Sequence, residues 1–233
     1  MTPRNSLVVP VYNEEGNVEP LVERAVAVLS ARGDPYEIIL VNDGSTDSTG
    51  AEIAATAGRW PACRELRMPE HAGQAAALLA GLRDARGARI LTMDGDGQND
   101  PGDFPALLGL LESGPFDLVC GWRVGRRDTL LRRAMSRLAN SVRRAVLADR
   151  VHDAGCQLRA MRREVLAALR PMDLLQAFIP ALAVAAGFRV GEIPVRHHLR
   201  LHGSSKYGLG RLWWRPALEM LRLRLELWRR PRT

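Results

Sequence analysis

The sequence predicts an α/β fold with a mostly parallel, doubly wound sheet, and three observations predict it. Short apolar runs alternate with longer helical patterns, in the order β-α-β-α-β-α-β-α-β, through the first half of the chain. The runs are the length of buried strands, whereas the segments between them repeat apolar residues at helical spacing. Three of the runs end in polar turns, as strands do when they deliver a ligand crevice.

Leu7–Val11 is the first expected strand, followed by a helix over Val18–Ala31 with Asn17 as its expected cap. Tyr36–Val41 is a second buried strand, and NDGSTDST leads from it into a helix near Asp47–Ala57. Glu65–Met68 is a weaker strand, Gln74–Ala85 an alanine-rich helix, and Ala88–Met93 a strong strand running into acids. Phe104–Glu112 reads as a helix and Asp117–Cys120 as a strand. The second half is less regular. It offers a basic helix around Leu130–Leu147, a strand near Gln157–Met161, helices over Arg163–Leu169 and Leu174–Ala186, and a strand near Arg189–Arg196. A Gly/Ser-rich loop, Leu201–Gly210, then precedes a final helix from about Pro216 to Arg230. The expected division is a main domain over 1–210 and a basic amphipathic helix over 211–233.

The chain has 233 residues and is 46% hydrophobic, enough for one domain with a full core. Its 33 Lys+Arg against 26 Asp+Glu give a formal net charge of +7, which calls for an anionic partner. The excess is concentrated in two segments. Arg123–Arg144 holds eight Arg and one acid, and Arg211–Arg232 holds seven Arg and two acids. Three widely spaced cysteines form no metal or CxxC pattern and fit a reducing compartment. No apolar run is long enough for a transmembrane helix, and the N-terminal apolar stretch is too short for a signal peptide.

The turns carry the chemistry. Strand one ends in Pro10-Val11-Tyr12-Asn13-Glu14, strand two in Asn42-Asp43-Gly44-Ser45, and strand four in Asp94-Gly95-Asp96-Gly97-Gln98. Asp94, Asp96 and Gln98 recur at a spacing of two and offer only oxygen ligands. Such a set suits a hard cation, Mg²⁺ or Mn²⁺, which can bridge the phosphates of a nucleoside diphosphate. Taken alone, the same turn reads equally well as a solvated acidic loop. The glycine fingerprints of dinucleotide folds and P-loops are absent, as is the G-x-S-x-G nucleophile elbow.

VVPVYNEE, ILVNDGSTDST, HAGQAAALLAG and ILTMDGDGQNDP, in that order and spacing, resemble glycosyltransferase family two. HDAGCQLRAMRRE and RHHLRLHGSSKYG further resemble its polyprenyl-phosphate branch, the dolichol-phosphate mannose synthase-like enzymes. The resemblance spans roughly residues 5 to 210 and implies a GT-A, Rossmann-like fold. It implies inverting transfer of a sugar from a GDP- or UDP-linked donor to a polyprenyl phosphate, with Mg²⁺ or Mn²⁺ as cofactor. By position, Pro10, Tyr12, Glu14 and Asp43 match the residues that hold the nucleoside, and Asp94, Asp96 and Gln98 the metal triplet. Arg123, Arg132 and Ser136 match residues for the acceptor phosphate. Arg200, Ser205 and Lys206 match a late loop that folds over the donor diphosphate. The chain departs from the pattern at Asn42-Asp43, where an Asp-Asp pair is commoner, at His71, where many relatives have Asn, and at Gln157 and Arg159. The Gln-x-x-Arg-Trp signature of processive relatives is absent.

A phosphate monoester is already ionised near neutral pH, its second pKa being about 6. The transfer therefore needs no strong base, but two anions must be held side by side. Arginine suits that task because its planar fork grips two phosphate oxygens. The final helix gathers Leu218, Leu221, Leu223, Leu225 and Trp228 on one broad arc and Glu219, Arg222 and Arg229 opposite. This arc fits a membrane interface, the chain's own domain, or a second copy in a homodimer. Alternation over Leu223–Leu227 also admits a strand. The resulting expectation is a peripheral enzyme on the cytoplasmic face of the plasma membrane. The alternatives are a glycosyltransferase of the same fold acting on a soluble or glycan hydroxyl, and a non-enzymatic basic binding protein. Nucleic acid is not an expected partner, since charge alone argues for it and the acidic triplet would go unexplained.

Overall fold

The computed structural model describes residues 2–124, 140–147, 149, 151–198 and 214–229, and within the last helix the side chains of 218–225. Seven strands form one sheet: β1 (Asn5–Val11), β2 (Tyr36–Asn42), β3 (Cys63–Arg67), β4 (Arg89–Thr92), β5 (Leu118–Arg123), β6 (Arg159–Arg162) and β7 (Val190–Val195). Their order is β3-β2-β1-β4-β6-β5-β7. Helices α1 (Val18–Ala31), α2 (Thr49–Arg59), α3 (Gln74–Asp84), α4 (Phe104–Ser113), a helical stretch α5 over 140–147, α6 (Leu175–Ala185) and α7 (Trp214–Arg229) surround it.

β1 pairs in parallel with β2 and with β4, and β2 in parallel with β3. The sheet is mostly parallel, as expected; its exception is β6, which runs antiparallel to both β4 and β5, whereas β5 and β7 are parallel. Strand direction is not written in apolar alternation. An antiparallel strand and a parallel one bury the same residues, so only the pairing distinguishes them.

Successive side chains of the central strands point to opposite faces. Leu7, Val9, Ile38 and Leu40 pack under α1, α2 and α4 with Leu21, Leu29, Ile53 and Phe104. Val8, Ile39 and Val41 face α3 and α6 with Leu78, Leu82, Phe178 and Ile179. All are essentially inaccessible, and each such side chain contributes roughly 1.5–3 kcal/mol by leaving water. Gly81 brings α3 unusually close to the sheet, since a Cβ there would sit 2.5 Å from Val8 Cγ1 and 2.6 Å from Val41 Cγ2.

Two local expectations are corrected. Asn17 precedes α1 but makes no side-chain cap; its amide instead donates to Glu14 Oε2 at 2.9 Å. Arg163–Ala168 is helical as expected, in the 3₁₀ form. The Leu223–Leu227 segment lies within α7 and is not a strand. The cysteines are free and buried. Burial pushes Cys63 and Cys120 up to about 12 and Cys156 up to about 11, so all three remain thiols at neutral pH.

Candidate active site

The carboxyl ends of β1, β2 and β4 converge. Asp43 N donates to Val11 O at 2.9 Å, continuing the β1–β2 pairing into the turns. Asn13 and the turn after β2 then clasp each other. Asn13 N donates to Ser45 Oγ at 3.1 Å, and Thr46 N donates to Asn13 Oδ1 at 2.8 Å. Asn13 adopts φ +49°, a left-handed conformation that asparagine tolerates better than most residues. The Asp94–Gln98 turn presses on the end of β1. A Cβ on Gly95 would lie 2.6 Å from Val11 Cγ1 and 3.0 Å from Pro10 O. Glycine is required there by this close approach.

Within that turn Asp94, Asp96 and Gln98 are half-buried, whereas Gly95, Gly97 and Asn99 between and after them are buried. The spacing of two seen in the sequence thus recurs in the turn as an alternation of half-buried and buried residues. Gln98 N donates to Asp96 Oδ1 at 3.1 Å, and Asn99 Oδ1 accepts from Asp94 N at 3.1 Å, which folds the turn on itself. The segment after β7 seals it: His198 N donates to Gln98 O at 2.8 Å, and His198 Nε2 lies 3.1 Å from Asp100 Oδ2.

The donor set fits a hard cation in composition: two carboxylates, one amide oxygen and no thiolate. Among the described residues no three acidic, imidazole or thiolate groups gather closely enough to hold a cation by themselves. A cation here would therefore draw further oxygens from its ligand, as Mg²⁺ does when held by one or two carboxylates and substrate phosphates.

Asp43 is 2% exposed. Its carboxylate accepts from Ala72 N at 2.8 Å and Gly73 N at 2.9 Å, and lies 2.9 Å from His71 Nδ1. It thereby holds the 71–73 loop at the start of α3. Gly44 lets the loop approach: it has φ +68°, and a Cβ there would be 2.6 Å from His71 N. His71 stacks on Tyr12 with ring centroids 3.8 Å apart, forming a partly exposed aromatic face at the mouth of the crevice.

Arg123, at the end of β5, is gripped by Asp153. Its Nε donates to Asp153 Oδ2 at 2.7 Å and its Nη2 to Oδ1 at 2.8 Å. Burial works against the charge, but the Asp153 hydrogen bonds and charge outweigh it, and Asp94 adds to the effect. Arg123 thus stays cationic within electrostatic reach of Asp94. Gly155 makes room for it, since a Cβ there would be 2.7 Å from Nη2. Beside this pair Trp122 stacks on His152 at 5.1 Å, and His152 Nδ1 is 2.8 Å from Glu192 Oε2.

Arg132, Ser136, Arg200, Ser205 and Lys206 lie outside the described residues. Gln74 and Gln176 were not among the expected site residues, and Arg159 stood out only as a departure from the family's pattern. Gln74 Nε2 donates to Asp94 Oδ1 at 2.7 Å, and Gln176 Nε2 donates to Gln74 Oε1 at 3.3 Å. Arg159 is 0% exposed. Its guanidinium reaches Gln157 Oε1 at 3.1 Å, Ala154 O at 2.9 Å and Gln176 O at 2.7 Å. A buried cation costs several kcal/mol in lost hydration, and here oxygen dipoles offset it. The only sequence signal was that Gln74 and Arg159 stand inside quoted motifs.

The fold is that of solved sugar transferases. Glucosyl-3-phosphoglycerate synthase from Mycobacterium tuberculosis, in complex with Mn²⁺, UDP and phosphoglyceric acid, superposes with TM-score 0.70 at 21% identity, over 95% of this chain and 78% of that one. The same enzyme with Mn²⁺ and UDP-glucose gives 0.71 at 21% identity, over 95% and 79%. The family model "Glycosyl transferase family 2" matches residues 6–170, and the chain belongs to that family. Dodecaprenyl-phosphate galacturonate synthase of Rhizobium johnstonii is 43% identical over 220 residues, covering 93% of this chain and 65% of its own length. Undecaprenyl-phosphate 4-deoxy-4-formamido-L-arabinose transferase of Edwardsiella ictaluri is 39% identical over 209 residues, covering 89% and 64%. The chain therefore spans just under two thirds of the length of these relatives.

Proposed function

We propose that the protein transfers a sugar, with inversion, from a nucleoside-diphosphate sugar to a polyprenyl phosphate. The observation that carries this reading is the oxygen-only set of Asp94, Asp96 and Gln98 in the turn after β4, at the same end of the sheet as Arg123 at the end of β5. The relatives, named for dodecaprenyl and undecaprenyl phosphate, support the acceptor class. Bound Mg²⁺ or Mn²⁺ would offset charge on the departing diphosphate.

The chain's own residues do the rest. Pro10, Tyr12 and Glu14 hold the nucleoside, with the Tyr12–His71 stack as its platform. Asp43 contributes through the 71–73 loop that it anchors. Arg123, with Arg132 and Ser136 in the basic segment, draws the acceptor phosphate beside the sugar. Arg200, Ser205 and Lys206 close over the diphosphate. That loop departs from His198, which is already hydrogen-bonded to Gln98. A phosphate oxygen then attacks the anomeric carbon as the bond to the diphosphate breaks, and no proton need be removed from the acceptor.

The test is product formation. Purified protein with Mn²⁺, a panel of UDP- and GDP-sugars and undecaprenyl phosphate should yield a glycosyl phospholipid by mass spectrometry, with galacturonate and 4-deoxy-4-formamido-L-arabinose donors tried first. Turnover on hydroxyl acceptors alone would favour the soluble- or glycan-acceptor reading. No turnover and no metal-dependent donor binding would remove the enzyme reading.

Residues 1–210 form the catalytic unit in this proposal, and 211–233 attach it to the membrane. Helix α7 is two-faced. Met220 and Leu223 are buried against α6 and its neighbours, whereas Leu218, Leu221 and Leu225 are 41%, 52% and 54% exposed. At spacings of three and four the exposed leucines make one outward stripe, and Arg222 and Arg224 are exposed beside it. No helix among the described residues is long and apolar enough to cross a membrane. A stripe of leucines bordered by arginine suits the surface of an anionic leaflet, on the cytoplasmic face in this proposal. Leu221→Glu with Leu225→Glu should weaken binding to phosphatidylglycerol vesicles by about tenfold in a flotation assay, given ~1–2 kcal/mol of lost burial. Unchanged flotation, or a concentration-dependent dimer abolished by the same pair, would move the stripe to a second subunit.

A further inference from the structure

We propose that Gln74, Gln176 and Arg159 form a positioning relay that sets the orientation of the Asp94 carboxylate. The inference rests on the reading of Asp94 as a ligand of the metal–diphosphate group. An ionised carboxylate only accepts hydrogen bonds. The Gln74 amide must therefore turn Nε2 toward Asp94 Oδ1, 2.7 Å away, which leaves its Oε1 to accept from Gln176 Nε2 at 3.3 Å. The relay has one direction, and a flip of either amide breaks it.

Each end of the relay is fixed by the fold. Gln74 is the first residue of α3, which Gly81 sets close against β1 and β2. Gln176 lies in the first turn of α6, entered through Leu174 at φ +57°. A leucine rarely holds that conformation, and such strain persists only where the surroundings enforce it. Arg159, wholly buried in β6, holds that turn through its guanidinium, which bonds Gln176 O at 2.7 Å. The same fork bonds Ala154 O at 2.9 Å and Gln157 Oε1 at 3.1 Å, which ties the first turn of α6 to the segment before β6. Groups beyond the ligands commonly orient them in this way, and their loss lowers metal affinity about 10–100-fold.

The test uses the full chain and isothermal titration with Mn²⁺ plus UDP, and in parallel Mn²⁺ plus GDP. Gln74→Leu, which keeps the volume and removes the amide, should weaken metal-dependent nucleotide binding at least about tenfold with an unchanged melting temperature. Gln176→Leu should weaken it less, and the double variant should be no worse than Gln74→Leu, because one relay is being cut twice. Unchanged affinity in Gln74→Leu, beside a wild type that binds, overturns the relay and leaves the metal-site reading intact. Affinity that falls only together with the melting temperature also overturns it, since the amides would then be merely structural. A wild type that binds neither nucleotide with Mn²⁺ overturns the reading of Asp94 itself.

Discussion

Asp96→Ala should lower turnover about a thousandfold while moving the melting temperature by no more than a few degrees. Asp96 is half-buried in the turn after β4, where its Oδ1 accepts from Gln98 N at 3.1 Å. Losing that hydrogen bond costs about 1 kcal/mol of stability. In the proposed site Asp96 helps to hold the cation that would offset charge on the departing diphosphate, and its loss should be far more damaging, because one preorganised group of this kind is worth about 10²–10³ in rate. Initial rates at saturating Mn²⁺, set beside thermal melts, separate the two effects. Metal-dependent activity retained in Asp96→Ala would remove Asp96 from the cation site.

Asp153→Ala should cost about 3–5 kcal/mol in urea unfolding, because it leaves the Arg123 guanidinium buried without its partner. The Arg123 and Asp153 side chains are only 14% and 7% exposed, and the pair is bidentate. A double variant, Arg123→Met with Asp153→Leu, should recover most of that stability, since apolar residues replace a buried pair at little cost. It should not recover activity if the Arg123 charge serves the acceptor phosphate. A single-variant loss below about 1 kcal/mol would mean that the pair is no clamp, and full activity in the double variant would remove Arg123 from catalysis.

What could be read from sequence was local. β1, β2 and β4 announce themselves as apolar runs, and the turns after them are acidic or amide-rich within a few residues. The Asp94–Gln98 spacing survives into the structure as an alternation of half-buried Asp94, Asp96 and Gln98 with buried Gly95 and Gly97. The features that escaped depend on distant residues. Arg123 reads from sequence as a phosphate ligand, yet its first partner is a carboxylate 30 residues on. Gln74 and Gln176 meet across 102 residues, and a lone amide in the first turn of a helix carries no periodic signature. The leucines of α7 form a single arc on a helical wheel. Only packing buries Leu223, beside Met220, and leaves Leu218, Leu221 and Leu225 as an outward stripe.

The antiparallel strand has a consequence for the order in which the site comes together. β4 is complete at Thr92 and carries Asp94 and Asp96 just beyond its end, while β5 presents Arg123 at its own. These strands do not touch; β6, which begins at Arg159, lies between them and pairs with both. As the chain emerges from synthesis, the acidic half and the cationic half of the crevice therefore stay separate pieces until β6 arrives. Contacts of such sequence separation are closed late and slowly. The strand that joins the halves also places Arg159 beneath α6, so the last strand needed to unite the sheet is also the one that steadies its chemistry.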